Sequence, residues 1–253
     1  MATSSGPLVY MNNPKLKSTG VDVEFSAHQV EELRKCYEDP IYFIKNYVYI
    51  TNIDKGVIKF SLYDFQEEIV KLELKNRKVI MVLPRQAGKS TTTGAAALHY
   101  ILFNESKTVA ILANKAATAR EILGRIKDMY ENLPHWMQVG VKEWNKGSIV
   151  LGNGCKALAA ATSGSAIRGQ SVAWLVLDEF AFIPTNQAEE FFQSVYPTIS
   201  SGKESKITIF STPKGMNFFY KMWTEAKEGR SDFVPFRVEW HEIPGRDEEF
   251  KKK

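Results

Sequence analysis

The segment Leu83-Pro84-Arg85-Gln86-Ala87-Gly88-Lys89-Ser90-Thr91 follows directly on the apolar run Val79-Ile80-Met81-Val82. A strand that breaks into a tight loop and opens a helix at Gly-Lys-Ser is a phosphate-holding device. Its backbone N–H groups point inward at phosphate oxygens, and the helix N-terminus adds partial positive charge. Lys89 is placed to reach the β- and γ-phosphates of a nucleoside triphosphate, and the Ser90 hydroxyl to ligate Mg²⁺. The pattern G-x-x-x-x-G-K-[ST] wants a glycine where this chain has Leu83. Gly-Lys-Ser alone is too short to be specific, so its surroundings carry the reading.

The second constellation is Trp174-Leu175-Val176-Leu177-Asp178-Glu179, four apolar residues ending in two carboxylates. Such a run reads as a buried strand of a parallel sheet that delivers charge at its C-terminal edge. In phosphate-loop NTPases the first acid holds Mg²⁺. Strand alternation turns the next side chain another way, which suits Glu179 to polarise the attacking water. Taken alone, the pair is equally a strand end with two solvated acids. With the phosphate loop upstream, ATP hydrolysis is the better reading.

Smaller signals surround these two. Gln66 lies on the segment feeding the loop, and a primary amide matches the donor–acceptor edge of adenine. Tyr63 or Phe65 would cover the ring face, whereas the plain alternative is a surface Gln on an amphipathic helix. Arg85 stands inside the loop, either to stabilise γ-phosphate charge as an arginine finger or to brace the loop against an acid. Ser211-Thr212-Pro213 closes the run Ile207–Phe210, where hydroxyls either sense the γ-phosphate or simply end a strand before proline. Ser163–Gly169 reads as a flexible loop whose Arg168 either contacts nucleotide across a subunit boundary, touches DNA, or does neither.

The bulk numbers bound the rest. At 253 residues, 44% hydrophobic and 25% charged, the chain suits one large α/β domain with a small satellite. No apolar run approaches the ~18 residues needed to span a membrane. Met1–Gly6 is small and polar, unlike an export signal. Two cysteines, Cys36 and Cys155, build no disulfide framework, so a reducing cytoplasm is expected. His28, His99, His135 and His241 lack metal-ligand spacing and read as surface or packing residues. A formal charge of +4 permits an anionic partner without demanding one.

The elements needed to position the chemistry can be traced in order. Residues 1–25 read as a loose arm with turn signals at Asn12-Asn13-Pro14 and Ser18-Thr19-Gly20. A helix is predicted from an N-cap at Ser26 to Tyr37, a second short one within Ile41–Ile50, a strand at Val57–Phe60 and a helix from Leu62 to about Leu74. The sheet is predicted at Val79–Val82, Thr108–Leu112, Lys156–Ala160, Trp174–Leu177 and Ile207–Phe210, with a helix at Ala116 to about Leu133. Asn153-Gly154 marks a hairpin after Ser148–Leu151. Strands alternating with helices imply a mostly parallel sheet flanked by helices. Glu248–Lys253 reads as a charged linker.

With these motifs set out, the chain resembles the ATPase domain of the large terminase subunit of tailed bacteriophages, the T-even type in particular. The resemblance rests on Leu83–Ser90, with Leu for the first Gly and Arg inside the loop, and on Leu175–Glu179 followed by Phe180-Ala181-Phe182-Ile183-Pro184. Val141–Ser148 and Ser211-Thr212-Pro213-Lys214-Gly215 match as well, so the similarity runs from about Ser26 to Trp240. It implies a P-loop NTPase of the ASCE, RecA-like class that binds ATP and Mg²⁺ and drives double-stranded DNA into a preformed capsid. By position, Gln66 would read adenine, Arg85 act as finger, and Pro84, Gln86, Ala87, Gly88, Lys89 and Thr91 complete the phosphate cradle. Ser90 and Asp178 would hold the metal, Glu179 activate water, and Ser211-Thr212 couple hydrolysis to motion.

The resemblance further implies a ring of five copies on the portal protein, a small terminase subunit as partner, action in the host cytoplasm and absence from the mature virion. Family members also carry a C-terminal nuclease that nothing here matches, so the chain is expected to be the N-terminal portion of a longer protein and not to cut DNA. The implied layout is an arm and small helical subdomain over residues 1–60, an ATPase core over 61–235 and a linker over 236–253. The competing reading is a superfamily 2-like helicase, which Gln66, Asp178-Glu179 and Ser211-Thr212 also fit.

Overall fold

A run such as Val79–Val82, apolar on both faces, needs strands on either side for its backbone and helices above and below for its side chains. The computed structural model, which describes residues 8–163, 167, 169–200 and 202–246, supplies both. Its elements in chain order are α1 (Ala27–Glu38), α2 (Pro40–Tyr47), β1 (Tyr49–Asn52), β2 (Gly56–Lys59), α3 (Asp64–Lys75), β3 (Lys78–Val82), α4 (Lys89–Leu102), β4 (Thr108–Ala113) and α5 (Ala116–Glu131). Then come β5 (Val141–Asn145), β6 (Ser148–Leu151), β7 (Lys156–Ala161), β8 (Trp174–Asp178), α6 (Thr185–Ser200), β9 (Lys206–Ser211), α7 (Phe218–Lys227) and β10 (Val234–Arg237). Short 3₁₀ turns lie at Tyr10–Asn12, Phe180–Phe182 and Trp240–Glu242.

The main sheet has eight strands in the order β10-β3-β9-β8-β4-β7-β6-β5. All pairs from β10 to β7 are parallel, and β6 and β5 continue antiparallel as a meander. Strand β9 separates β3, which leads into the phosphate loop, from β8, which ends in Asp178. That insertion is the ASCE arrangement that the family resemblance implies, and it sets loop and carboxylates at the same end of the sheet. Side chains alternate between two cores as the pleat requires. Trp174 and Val176 of β8 join one core with Val79, Met81, Val109 and Ile111, against α3, α4 and α5. Leu175 and Leu177 join the other with Ile80, Ala110, Leu112 and Ile209, against α6 and α7.

Local signals account for the helices at the start of the chain. Ser26 and Gln29 form a reciprocal capping box, with bonds of 3.2 and 3.0 Å, at the head of α1. Asp39 accepts from the N–H groups of Ile41 and Tyr42, and Pro40 opens α2. The helix expected within Ile41–Ile50 stops at Tyr47, because Tyr49–Asn52 pairs antiparallel with Gly56–Lys59 instead. Cys36, Phe43 and Ile44 from this region lie in the same buried core as the P-loop helix.

The arm is docked rather than loose from Leu8 onward. Val9 bridges Lys17, Ser18 bridges Val141, and Leu16 is buried. The buried Gln138 amide fastens it by accepting from Lys17 N at 3.0 Å and donating to Lys15 O at 2.9 Å. A side-chain amide 121 positions away is not a signal that periodicity can detect. Strands β5 and β10 were not predicted. In β10, Pro235 would argue against a central strand, but here it sits on an edge, where a missing N–H costs no ladder bond. Helices α6 and α7 were likewise absent from the sequence trace. The linker reading of Glu248–Lys253 and the role of Arg168 fall outside the described residues.

Candidate functional site

The phosphate loop takes its shape from two left-handed residues. Gln86 has φ of 58° and Gly88 has φ of 75°, with the buried Ala87 between them. Gly88 caps α4, its carbonyl accepting from Thr91 N at 3.0 Å and Thr92 N at 2.9 Å. A Cβ on Gly88 would lie 2.6 Å from Gln66 Nε2, so both conformation and space demand glycine. Leu83, at the position where the usual motif carries glycine, is fully buried among the α4-side residues, and its N–H bonds Ser211 O at 3.1 Å. The chain therefore extends β3 by one anchored residue before the loop turns, and burying that Leu contributes about 2 kcal/mol.

Alternation along β8 sends Asp178 to the same side as Trp174 and Val176, toward α4. There Ser90 Oγ donates to Asp178 Oδ2 at 3.2 Å. Burial pushes the Asp178 carboxyl up to about 6; the Lys89 charge draws it down and Glu179 raises it again. Its Oδ1 is buried with no hydrogen-bond partner among the described residues. Glu179 does not simply continue the alternation. It adopts a left-handed conformation, φ 52° and ψ 34°, at the head of the Phe180–Phe182 turn. For a non-glycine residue that costs about 1–2 kcal/mol, so the neighbouring contacts must hold it there.

The remaining candidates are placed as follows. Gln66 is buried and its amide is used on both sides: Oε1 accepts from Tyr63 N at 3.1 Å and Nε2 donates to Ala87 O at 3.1 Å. It thus caps α3 and braces the loop, while the Tyr63 and Phe65 rings stack beside it at 5.8 Å. Arg85 is exposed and makes no ion pair among the described residues; its carbonyl accepts from Arg246 Nη2 at 2.7 Å. Pro84 is half-buried, and the Thr91 hydroxyl accepts from Arg125 of α5 at 3.1 Å. Ser211 is fully buried; its Oγ donates to Thr212 O at 2.9 Å and accepts from Ala181 N at 3.2 Å. The fold therefore brings Gln66, the loop, Ser90 and Asp178 into one chain of contacts. The Ser211 side chain reaches the turn behind Glu179, while its carbonyl holds Leu83 at the start of the loop.

Two groups went unnoticed in the sequence. Glu73 of α3 is buried beneath α4, with Oε1 accepting from Thr93 Oγ1 at 2.7 Å. Asn217 caps α7 and reaches across to Ala181 O at 2.8 Å. An Asn just ahead of Phe218-Phe219-Tyr220 was a legible N-cap signal for Asn217. Glu73 offered none, since an acid on an amphipathic helix reads as solvated.

The donor set suits a small hard cation. Asp178 and Ser90 supply oxygens, and Mg²⁺ is usually held by one or two carboxylates together with phosphate oxygens and water. The described residues contain no group of three or more His, Cys, Asp and Glu that would make an all-protein cage.

Known proteins share this fold. The family described as "Terminase large subunit, T4likevirus-type, N-terminal" matches residues 80–253. The large terminase subunits of Thermus phage G20c and Thermus virus P23-45 are each 24% identical over 190 residues, which cover 67% of this chain and 38% of theirs. The chain thus spans well under half the length of these curated relatives. Among solved structures, the HK97 bacteriophage large terminase superposes with a TM-score of 0.67 over 83% of this chain and 45% of that one, at 15% identity. The Thermus phage P74-26 large terminase ATPase domain gives 0.61 over 76% and 87%, at 20% identity. The large terminase of a thermophilic bacteriophage, solved in complex with ADP, gives 0.58 over 76% and 49%, at 14% identity. At such identities the likeness is one of fold.

Proposed function

This chain belongs to the family of T4-like-virus-type large terminase subunits, N-terminal region, and from that premise we propose that it is the ATP-hydrolysing motor domain of a viral DNA-packaging machine. The observation that carries the reading is the contact of Ser90 with Asp178 at the start of the P-loop helix, beside a left-handed Glu179. Relatives named as ATPase domains, and one solved with ADP, support a nucleotide as ligand.

In this reading the N–H groups of Arg85–Ser90 cradle the phosphates and Lys89 neutralises the β- and γ-oxygens. Ser90 and Asp178 would hold Mg²⁺, which when bound neutralises charge on the transferring phosphoryl group. Glu179 takes a proton from the attacking water, and the γ-phosphoryl group passes to that water with ADP leaving. Arg85, exposed at the loop, supplies charge to the γ-phosphate from its own subunit or a neighbour. Gln66 reads adenine with the N–H and lone pair that its two protein bonds leave over, and otherwise serves as the loop's brace. Ser211-Thr212 relays the loop state to the turn behind Glu179.

The substrate moved by this cycle is double-stranded DNA. The partners are the portal protein, a small terminase subunit and further copies of this chain in a ring of five, all in the host cytoplasm and outside the mature virion. Residues 1–60 act as a helical subdomain and 61–235 as the main body of the core. Of the span 236–253 read as a linker to a C-terminal nuclease, Phe236 and Arg237 belong to β10 and Val238 and Ile243 are buried in the core, so the linker starts beyond Ile243. The helicase alternative loses its ground to the family match.

The test is Mg²⁺-dependent ATP turnover, measured with and without DNA and portal-bearing procapsids. Replacing Glu179→Gln should lower kcat by about 100-fold or more while nucleotide still binds, and Asp178→Asn should weaken Mg²⁺-dependent binding itself. Wild-type turnover equal to that of Glu179→Gln under every condition refutes the proposal.

A further inference from the structure

Ala181, two residues past Glu179, is held at both of its backbone groups by the connection between β9 and α7. Its N–H donates to Ser211 Oγ at 3.2 Å, and its carbonyl accepts from Asn217 Nδ2 at 2.8 Å. The same Nδ2 donates to Lys214 O at 3.0 Å, while Asn217 Oδ1 accepts from Tyr220 N at 3.0 Å and caps α7. Lys214 adds a second stitch, its ammonium lying 4.7 Å from the centre of the Phe182 ring. One amide thus ties the head of α7, the Lys214 carbonyl and the turn behind Glu179 into a single unit.

That turn needs holding. Glu179 is in the left-handed region, and such residues persist only where the surroundings over-determine them. Inside the turn the fixing bonds are Phe182 N to Glu179 O at 2.8 Å and Ile183 N to Phe180 O at 3.2 Å. From outside, the clamp on Ala181 fixes where the turn sits relative to β9. The residue at position 217 must offer two donors and one acceptor at once, which Asn does and Asp or Ser does not.

We propose that Asn217 is a positioning residue for the Glu179 carboxylate, and that its bonds make the placement of the Ser211–Gly215 segment and the aim of Glu179 interdependent. The inference rests on Glu179 being the group that activates water. A shift of this loop on hydrolysis then moves Ala181, and with it the reactive carboxylate.

The informative variant is Asn217→Asp. It keeps the acceptor that caps α7, since Asp caps as well as Asn, but removes both donors and sets a carboxylate against two carbonyls. Two measurements are made on the whole chain with wild type, Asn217→Asp, Asn217→Ser and Met222→Ala, the last loosening α7 from beneath through a buried contact outside the site. Amide hydrogen exchange should speed up about tenfold or more at Ala181 and Phe182 in both Asn217 variants, while Tyr220 stays protected in Asn217→Asp. ATP turnover should fall about 10- to 100-fold in kcat, as expected for a displaced catalytic group, with the Kd for a fluorescent ATP analogue within about threefold of wild type.

Unchanged exchange at Ala181 and Phe182 overturns the proposal. So does a kcat loss that Met222→Ala reproduces at equal loss of thermal stability, or a defect confined to nucleotide affinity. If wild type turns over no faster than Glu179→Gln, the ATPase reading fails, and exchange at Ala181 still decides whether Asn217 holds the turn.

Discussion

The replacement Glu73→Gln should change the pH dependence of stability in a direction that the structure dictates. Glu73 sits between α3 and α4 with no exposure to speak of, and burial pushes its carboxyl up to about 8 from an ordinary 4.5. The Thr93 hydroxyl and the charge of Lys206 oppose that shift without cancelling it, and Lys206 spends its donors on the carbonyls of Glu73, Leu74 and Asn76. Oε2 has no partner among the described residues. Because the folded-state value is raised, the native protein keeps a proton that the unfolded chain has released anywhere between about pH 4.5 and 8. Stability is therefore full below 4.5, declines as pH rises through that window, and levels off above 8. At pH 7 the gap is roughly 2.5 pH units, or on the order of 3 kcal/mol at 1.36 kcal/mol per unit. Gln keeps the Oε1 acceptor for Thr93 and has no proton to lose. Urea unfolding of both proteins from pH 5 to 8.5 isolates this carboxyl together with its charge partner Lys206, since the groups that do not interact with it cancel in the difference. The variant should gain on wild type by about 1 kcal/mol per pH unit up to pH 7.5. A difference that is flat with pH, or that favours wild type increasingly as pH rises, refutes the reasoning.

Three further expectations follow from single contacts. His99 is driven down to about 4 by burial among Phe43 and Phe103, with Nε2 bonded to Cys36 O at 2.8 Å, so the unfolded chain binds a proton the fold refuses. Wild type should lose on the order of 3 kcal/mol between pH 6.5 and 4 on this account, and His99→Gln should flatten that slope in a urea series carried down to pH 4. Gly88→Ala forces a side chain into the left-handed region and against Gln66 Nε2, and should weaken ATP binding by about tenfold or more through a displaced loop, read by titration with a fluorescent analogue. Trp174→Phe removes the buried bond from Nε1 to Thr208 Oγ1 at 3.0 Å; at about 2 kcal/mol for an orphaned hydroxyl and a small void, Tm should drop by roughly 4–8 °C by calorimetry.

Much of the site was readable because its chemistry is local. The phosphate loop is one contiguous segment whose glycine and strand context are set by backbone geometry, and Asp178 follows an apolar run that only a buried strand explains. The predicted strands of the main sheet fall within β3, β4, β7, β8 and β9. The reason is that β3, β4, β8 and β9, buried on both faces, leave unbroken apolar or β-branched runs, and the half-buried β7 still shows the short apolar run Ala157–Ala160. The edge strands β5 and β10 leave no such trace: Val141–Asn145 is broken by Lys142 and Glu143, and Val234–Arg237 carries a proline that only an edge tolerates.

What the amino-acid order laid out by itself was an inventory of candidate groups: a Gly-Lys-Ser loop, a carboxylate pair, and hydroxyls at a strand end. Tertiary structure alone decided which of these meet. Strand order set β9 between β3 and β8 and so brought Ser90 against Asp178. The same packing spent the amide of Gln66 on the loop, buried Glu73 beneath α4 and reached Asn217 across to Ala181. The reason is physical. A residue's type and its near neighbours limit what bonds it is able to make, but desolvation and long-range hydrogen bonds depend on segments whose separation along the chain carries no periodic signal.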